Sequence, residues 1–234
     1  MKALLRRTHH EAKNIITFWF QSEKPIDYIA GQFIEVTLRH ANPDERGIKH
    51  WFTLSSSPTD APLVSITTKF AERSSSFKMK LHSLKPGDEV LISEPMGDFV
   101  LPKDSSVPLV FVAGGIGITP FHSITKWLHD TKQERDITFL YSVATEHEIV
   151  FQDLFEHYGM KRIIVINKPQ GKWDGETGRL TGRRILELTQ PAKDALLYIS
   201  GPEPMVEGLN KELETLGVAK SQLVGDFFPG YTNV

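Results

Sequence analysis

The sequence predicts a chain of class β + α/β, in which a small antiparallel barrel is followed by an open parallel α/β sheet. Two observations predict it. The first hundred residues hold short segments rich in β-branched and aromatic residues, separated by Gly and Pro clusters, which is typical of small barrels. From residue 107 onward, apolar runs alternate with segments of helical period, which indicates parallel strands covered by helices.

In the first part of the chain, barrel strands are predicted at residues 15–20, 33–38, 63–68 and 89–92. One helix interrupts these strands, because Phe77, Leu81 and Leu84 lie about one helical turn apart. The residues KPGD at 85–88 end that helix, since Pro and Gly both break helical geometry.

In the second part, buried strands are predicted at 107–113, 137–143, 162–166, 195–200 and 223–227, and helices at 121–131, 148–157, 183–188 and 203–216. Residues 101–106 form the predicted linker between the two parts. The longest irregular stretch, 167–182, is of a length that is often functional in a compact domain.

Composition excludes several kinds of site. The net charge of −2 gives no general attraction for nucleic acid or an anionic membrane. The absence of cysteine excludes disulfides, cysteine-ligated iron–sulfur clusters, thiolate zinc sites and a thiol nucleophile. Histidine spacing predicts no metal site. We find neither a segment of signal-peptide type nor a run near the ~18 apolar residues of a membrane span, and we expect a cytoplasmic protein.

A glycine-rich turn, GGIGITP at 114–120, joins the strand at 107–113 to the next helix. Gly115 and Gly117 allow the backbone to approach a ligand closely. Thr119 is predicted to cap the helix and Pro120 suits its first position. Free amides there would face a pyrophosphate, although the turn lacks the third glycine of the dinucleotide fingerprint. Taken alone, the turn is also compatible with a plain strand-to-helix connection, which is the less favoured interpretation.

A second glycine turn follows the strand at 195–200, which ends at Ser200 and continues into Gly201, Pro202 and, three residues later, Met205. Alone, this segment is typical of a helix start. Ligands of open α/β sheets bind outside the carboxyl ends of the strands. Two such turns beside one crevice therefore favour a nucleotide site more strongly than either turn does alone.

Four motifs in order, HWFT at 50–53, GGIGITP at 114–120, SGPEPM at 200–205 and FFPGY at 227–231, resemble the ferredoxin–NADP reductase superfamily over nearly the whole chain. The resemblance implies a six-stranded antiparallel Greek-key barrel that binds flavin, over residues 1–102. It also implies an open five-stranded parallel α/β domain that binds NAD(P), over residues 103–234.

By the same resemblance, Phe52 packs on the isoalloxazine ring and Thr53 lies near flavin N5, while Ser75 and Ser76 are the pyrophosphate candidates. The implied flavin-binding residues are His50, Phe52, Thr53, Leu54, Ser55, Thr67, Lys69, Arg73, Ser74, Ser75 and Ser76. The implied nicotinamide-nucleotide-binding residues are Gly115, Gly117, Thr119, Pro120, Gly201, Pro202, Met205 and Tyr231.

The sequence departs from the family pattern at several positions. His50 replaces an arginine that neutralises the flavin phosphates, and Glu72 replaces a glycine; Arg73 or Lys69 would supply the missing charge. We expect FAD rather than FMN. Ala144 stands where many NADP-using members carry an arginine, so the choice between NADPH and NADH stays open.

The resemblance implies hydride transfer between nicotinamide and flavin, with Thr53, Ser200, Asp226 and Tyr231 as catalytic residues. Tyr231 would lie against the flavin face and move when nicotinamide enters, and Asp226 would help to hold the nicotinamide. The expected partner is a small electron-carrier protein such as ferredoxin or flavodoxin, and the expected state is a monomer. The alternatives are a free-flavin or ferric reductase, and an electron-transfer or docking subunit of a larger redox complex.

Overall fold

The structure is a computed structural model that describes residues 1–152 and 161–228. The first six strands are β1 (Lys2–Ala12), β2 (Ile15–Ser22), β3 (Phe33–Thr37), β4 (Lys49–Thr53), β5 (Leu63–Lys69) and β6 (Glu89–Ile92). They form one antiparallel sheet in the order β4-β3-β6-β1-β2-β5. A bridge between Leu54 and Ile66 joins the two edge strands, so the sheet closes into the expected barrel.

The barrel core is filled by apolar side chains from alternate strand positions, among them Phe18, Phe20 and Ile34. Helix α1 (Ser76–His82) closes one end of this core with Phe77 and Leu81, as the helical spacing predicts. Strand β1 is not predicted by the sequence, because its second half, RRTHHEA, is polar and mostly exposed.

The second sheet has six parallel strands rather than the five expected. They are β7 (Leu109–Gly114), β8 (Ile137–Val143), β9 (Lys161–Ile166), β10 (Glu176–Thr177), β11 (Leu196–Pro202) and β12 (Leu223–Phe228). Their order is β10-β9-β8-β7-β11-β12. The extra strand, β10, is two exposed residues long, and it lies inside the segment 167–182 that the sequence presents as irregular.

Three helices of the described residues cover this sheet, α2 (Thr119–Asp130), α3 (Gly182–Thr189) and α4 (Glu203–Thr215). The prediction of a helix that begins at residue 148 is wrong for the first residues of that helix. Ile149 is extended and Phe151 has a φ of 54°. Val150 and Phe151 are buried in the core, so this short apolar run packs inward instead of forming a helical face. Residues 153–160 of that prediction lie outside the described residues.

Successive strands of the second sheet are added first on one side of β7 and then on the other, so the strand order reverses between β7 and β11. From β7 the chain proceeds to β8 and β9 on one side, and β11 and β12 lie on the other. In open α/β sheets the ligand crevice lies at this switch point, outside the carboxyl ends of the strands. The two glycine turns that follow β7 and β11 therefore stand at the position where the fold class binds its ligands.

The barrel and the parallel sheet are in direct contact. One apolar cluster combines Ile15, Ala30 and Phe99 with side chains of β7 and α2. Helix α2 also contacts the segment after β4, where Ser123 Oγ donates to the Ser56 carbonyl at 2.5 Å. The barrel sheet ends at Ile92 and the parallel sheet begins at Leu109, and the domain boundary at 102 stays a prediction.

Candidate active site

The turns after β7 and β11 touch each other. A Cβ atom added to Gly117 would overlap the carbonyl of Ser200, and one added to Gly114 would overlap the sulfur of Met205. Gly115 has a φ of 53°, a conformation that glycine adopts without strain. The two glycine motifs predicted from the sequence are therefore in direct contact, and at Gly114 and Gly117 the contact leaves no space for a Cβ atom.

Thr119 does not cap helix α2 as predicted. It is the first residue of the helix, and its hydroxyl donates to the Ile116 carbonyl at 3.1 Å instead of accepting from a helix amide. A short 3-10 turn, Gly115–Ile118, runs directly into α2 and takes the place of a capping residue. Pro120 follows in the first turn, where its missing amide hydrogen costs no hydrogen bond.

Ser200 lies near the end of β11, whose last two residues are Gly201 and Pro202. Its side chain is fully buried, and its hydroxyl has no hydrogen-bond partner among the residues that the structure describes. It is paired in register with Ala113 of β7 and with Asp226 of β12. A buried hydroxyl without a partner is uncommon in folded proteins, and it fits a position at which a ligand atom completes the hydrogen bond.

Asp226 joins the parallel sheet to the barrel. Burial, followed by the nearby Asp98 carboxylate, raises the pKa of Asp226 to about 6, while a hydrogen bond from the Thr53 side chain acts in the opposite direction. Thr53 is itself buried at the end of β4. Three of the four predicted catalytic residues, Thr53, Ser200 and Asp226, are therefore brought together. The fourth, Tyr231, lies outside the described residues.

The other end of β4 packs against helix α1. The ring of His50 lies 4.3 Å from that of Phe77, and the Phe52 ring is stacked on Phe77 at 5.9 Å. Burial, followed by the Lys78 charge, lowers the pKa of His50 below 6.5, and Asp44 opposes this effect. The His50 Nε2 atom is buried and has no partner in the described part of the chain.

Several predicted flavin-binding residues are held inside the barrel. Leu54 is fully buried in its core. Ser55 is also fully buried, and its hydroxyl bonds those of Ser65 and Thr67 at 2.8 Å each. Thr67 additionally bonds Thr17 at 2.8 Å. These side chains stabilise the segment after β4, and the structure does not expose them towards a ligand.

The predicted phosphate residues surround the start of helix α1. Ser75 accepts from the Lys78 amide at 3.1 Å, and Ser74 forms a local turn with Ala71. Arg73 is exposed. Lys69 is drawn away from this group, because its ammonium pairs with Glu148 at 2.7 Å. Only the serines and Arg73 are therefore placed beside one another.

Two features near the site escape the sequence reasoning. Asp44 contacts Ser76 from the loop between β3 and β4, and a contact across 32 residues leaves no pattern in the sequence. Trp51 is 59% exposed, the ring of Phe33 lies 6.1 Å from it, and Phe33 in turn bridges Met96. The two-residue period of β4 places Trp51 on the same face as Thr53, so this feature could have been predicted.

The described residues, 1–152 and 161–228, contain no group of three or more His, Asp or Glu side chains suited to a metal ion. None of the helices among them has the length and apolar character needed to cross a membrane.

Comparison with known proteins relates the chain to redox enzymes. Residues 111–211 match the family model of the oxidoreductase NAD-binding domain. Flavohemoprotein A of Dictyostelium discoideum is 30% identical over 244 residues, which covers 99% of this chain and 61% of that protein. NADH oxidoreductase HCR of Escherichia coli is 25% identical over 217 residues, which covers 92% and 65% respectively.

Solved structures share the fold across the whole chain. A ferredoxin NADP+ reductase from Neisseria gonorrhoeae, with bound FAD and NADP, superposes with a TM-score of 0.82 at 18% identity and covers 97% of this chain and 98% of that one. The FAD/NAD-binding domain of nitric oxide dioxygenase from Vibrio cholerae gives the same TM-score at 22% identity, with the same coverage of both chains.

The barrel, the parallel sheet and the match of residues 111–211 to the oxidoreductase NAD-binding model define a class of fold in which an antiparallel barrel precedes a parallel sheet of NAD-binding type. In sequence and fold the chain is similar to members of the ferredoxin–NADP reductase superfamily. The chain spans about three-fifths of the length of the curated relatives that it matches, such as the 61% of the Dictyostelium protein.

Proposed function

We propose that the protein is an NAD(P)H-dependent flavoprotein reductase that transfers a hydride between nicotinamide and the N5 atom of FAD and passes electrons to a carrier protein. The observation that carries the proposal is the contact of Thr53 in the barrel with Asp226 in the parallel sheet, beside the buried hydroxyl of Ser200. Hydride transfer needs two cofactors held face to face, and this seam carries polar groups from both sheets.

The residues present fit a flavin. The buried Nε2 of His50 and the buried hydroxyl of Ser200 both lack partners in the described residues, and cofactor atoms would supply them. In this proposal Phe52 and Thr53 contact the isoalloxazine, while Ser75, Ser76 and Arg73 hold the phosphates. A bound flavin supplies an acceptor for the hydride and then releases electrons singly or as a pair. FAD is favoured over FMN.

The nicotinamide nucleotide would occupy the turns after β7 and β11. Gly115 and Gly117 bring the backbone close to its phosphates, and Gly201 and Pro202 lead the chain past its nicotinamide. Asp226 would hold the carboxamide, and we retain Tyr231 as the residue that covers the flavin until nicotinamide enters. Both NADPH and NADH are candidates.

The proposed partner is an electron carrier such as ferredoxin or flavodoxin. Relatives include reductase subunits of glycine betaine monooxygenase, 28% identical in Pseudomonas aeruginosa, which supports electron delivery to another protein. Trp51, Phe33 and Met96 form a half-exposed apolar surface on the face of β4 that carries Thr53, and surfaces of this kind often mark protein contacts. The monomeric state and the cytoplasmic location are parts of the same proposal.

The partner contact is tested with Trp51→Ala. We expect turnover with a ferredoxin or flavodoxin acceptor to fall by about tenfold or more, as is common when an exposed aromatic anchor is removed. Turnover with ferricyanide, a small acceptor that needs no docking surface, should be unchanged. Met79→Ala, at an equally exposed apolar residue on α1, is the matched control. Equal loss with both acceptors would contradict the assignment of this surface.

The function itself is tested by anaerobic titration of the FAD-loaded protein with NADH and with NADPH, followed by bleaching of the flavin absorbance. Bleaching by at least one nucleotide is expected. A protein that retains no flavin would leave only the docking-subunit alternative. A protein that turns over free flavin with saturation would instead be a diffusible-flavin reductase. Flavin that stays oxidised with both nucleotides would contradict the proposed reaction.

A further inference from the structure

Asp44 is held like a bound anion. Its Oδ2 atom accepts from the Ser76 amide at 2.9 Å and from Arg46 Nη2 at 2.7 Å. Its Oδ1 atom accepts from the Arg46 amide at 3.1 Å. The Asp44 amide donates in return to Ser76 Oγ at 2.8 Å, so that the loop between β3 and β4 is tied to helix α1.

The groups in contact with this carboxylate are two backbone amides and one cation. Arg46 contacts it directly. The Asp44 charge also raises the pKa of His50 on β4, while the Lys78 charge lowers that pKa. These hydrogen bonds keep the pKa of Asp44 well below its usual range, which means that the carboxylate is charged at all ordinary pH values. Two backbone amides and a guanidinium that hold one carboxylate are equally suited to a phosphate oxygen.

We propose that Asp44 is a specificity-determining residue of the flavin site, a built-in carboxylate that competes with a cofactor phosphate for Ser76 and Arg46. This inference rests on the proposed flavin function, because it assigns Ser76 and His50 to the phosphate end of that site. To bind a phosphorylated flavin at the Ser76 amide, the protein must first release the Asp44 side chain from that amide. If the carboxylate stays nearby, its negative charge repels the phosphate. His50, which stands in place of the family arginine, therefore has a negative neighbour that weakens phosphate binding further.

The test compares flavin affinities of the full chain and the Asp44→Asn variant, with FAD, FMN and riboflavin as three separate probes. Asparagine retains an acceptor oxygen for Ser76 but carries no charge. We expect FAD and FMN to bind about tenfold more tightly to the variant, as one fewer like charge faces the phosphate, and the gain should shrink in high salt. Riboflavin has no phosphate, and its affinity should change less than twofold.

Glu45→Gln is the matched control, because Glu45 is the adjacent acidic residue and is exposed. It should leave all three affinities unchanged. Asp44→Ser is a second neutral variant that also keeps an acceptor oxygen, and it replaces Asp44→Asn if that protein folds poorly by circular dichroism.

Two results would overturn the inference while leaving the function intact. One is a wild-type protein that binds FAD and is reduced by NADH or NADPH, with a neutral variant of unchanged or weaker FAD affinity. The other is an equal gain for riboflavin, which would show that the loop acts on the ring and not on the phosphate. Absence of flavin binding in the wild type and in both neutral variants would instead overturn the proposed function, and the role of Asp44 with it.

Discussion

At the scale of single residues, the role that a motif implies for His50 differs from what its surroundings in the structure favour. The resemblance aligns His50 with the arginine that neutralises the flavin phosphates, and Arg73 or Lys69 is expected to supply the charge that histidine lacks. In the structure, burial and then the Lys78 charge lower the pKa of His50, which disfavours its cation, while Asp44 opposes this effect. The charge at this end of the site therefore comes from other cations, unless a bound anion raises the pKa again.

Asp226 carries a prediction about stability and pH. Its pKa is about 6 in the folded protein and near 3.8 in an unfolded chain, so the native state retains a proton that the unfolded state loses. Wild-type stability should therefore fall as the pH rises from about 4 to 6. Asp226→Asn mimics the neutral form, and we expect it to be more stable than wild type by up to about 3 kcal/mol above pH 7, from about 1.4 kcal/mol per pKa unit.

Urea unfolding at pH 4 and pH 8 measures this difference, which should nearly vanish at pH 4. The same variant should lower turnover, because the carboxylate that contacts Thr53 is lost. Asp194→Asn, at an exposed carboxylate, is the control and should change stability by less than about 0.5 kcal/mol. An Asp226→Asn variant that is no more stable than wild type at pH 8 would contradict the raised pKa of this buried carboxylate.

At the scale of elements, apolar runs predict the parallel strands well, because these strands are buried on both faces. Strand β8 is observed at the predicted residues, Ile137–Val143, and β7, β9, β11 and β12 are displaced by at most two residues at either end. Strands with an exposed, polar face escape the same reasoning, as β1 and the two-residue β10 show. The glycine turns are also predictable, since glycine signals the close approach of two backbones.

That close approach gives a prediction for Gly117→Ala. A Cβ atom at this position would overlap the backbone of Ser200 and Gly201, which cannot move without displacing β11. We expect a loss of about 2–3 kcal/mol in the free energy of unfolding, as overpacking typically produces. Affinity for NADH or NADPH should also fall, because both nucleotide turns would be displaced.

Gly208→Ala is the control for this substitution. Gly208 lies in helix α4, and a Cβ atom there meets nothing within 4 Å. Alanine should therefore stabilise the protein by about 0.5–1 kcal/mol, since it is the better helix former. Urea unfolding of both variants checks the pair, and equal effects of the two substitutions would contradict the proposed contact between the turns.

At the scale of the whole molecule, the order of the two sheets follows from the sequence, but the seam between them does not. The resemblance and the periodicity place a barrel before a parallel sheet. The hydrogen bonds that fasten them, such as His122 Nδ1 to the Ser55 carbonyl at 2.6 Å and Tyr198 Oη to the Val100 carbonyl at 2.8 Å, join residues 67 and 98 positions apart. No local pattern encodes such pairs, and the candidate catalytic residues meet only because this seam forms.

The shared core predicts that the two sheets unfold together. Phe99 is buried between them, with its ring 5.6 Å from Phe121 and 5.2 Å from Tyr198. Hydrogen exchange of wild-type β2 and β8 should report the same unfolding free energy. Phe99→Ala should cost about 3–5 kcal/mol and separate the two values, whereas Phe18→Ala, inside the barrel alone, should lower both equally. Different unfolding free energies for β2 and β8 in the wild type would mean that the contacts between the two sheets are too weak to couple their unfolding. The site between the sheets would then come apart while both cores stay folded.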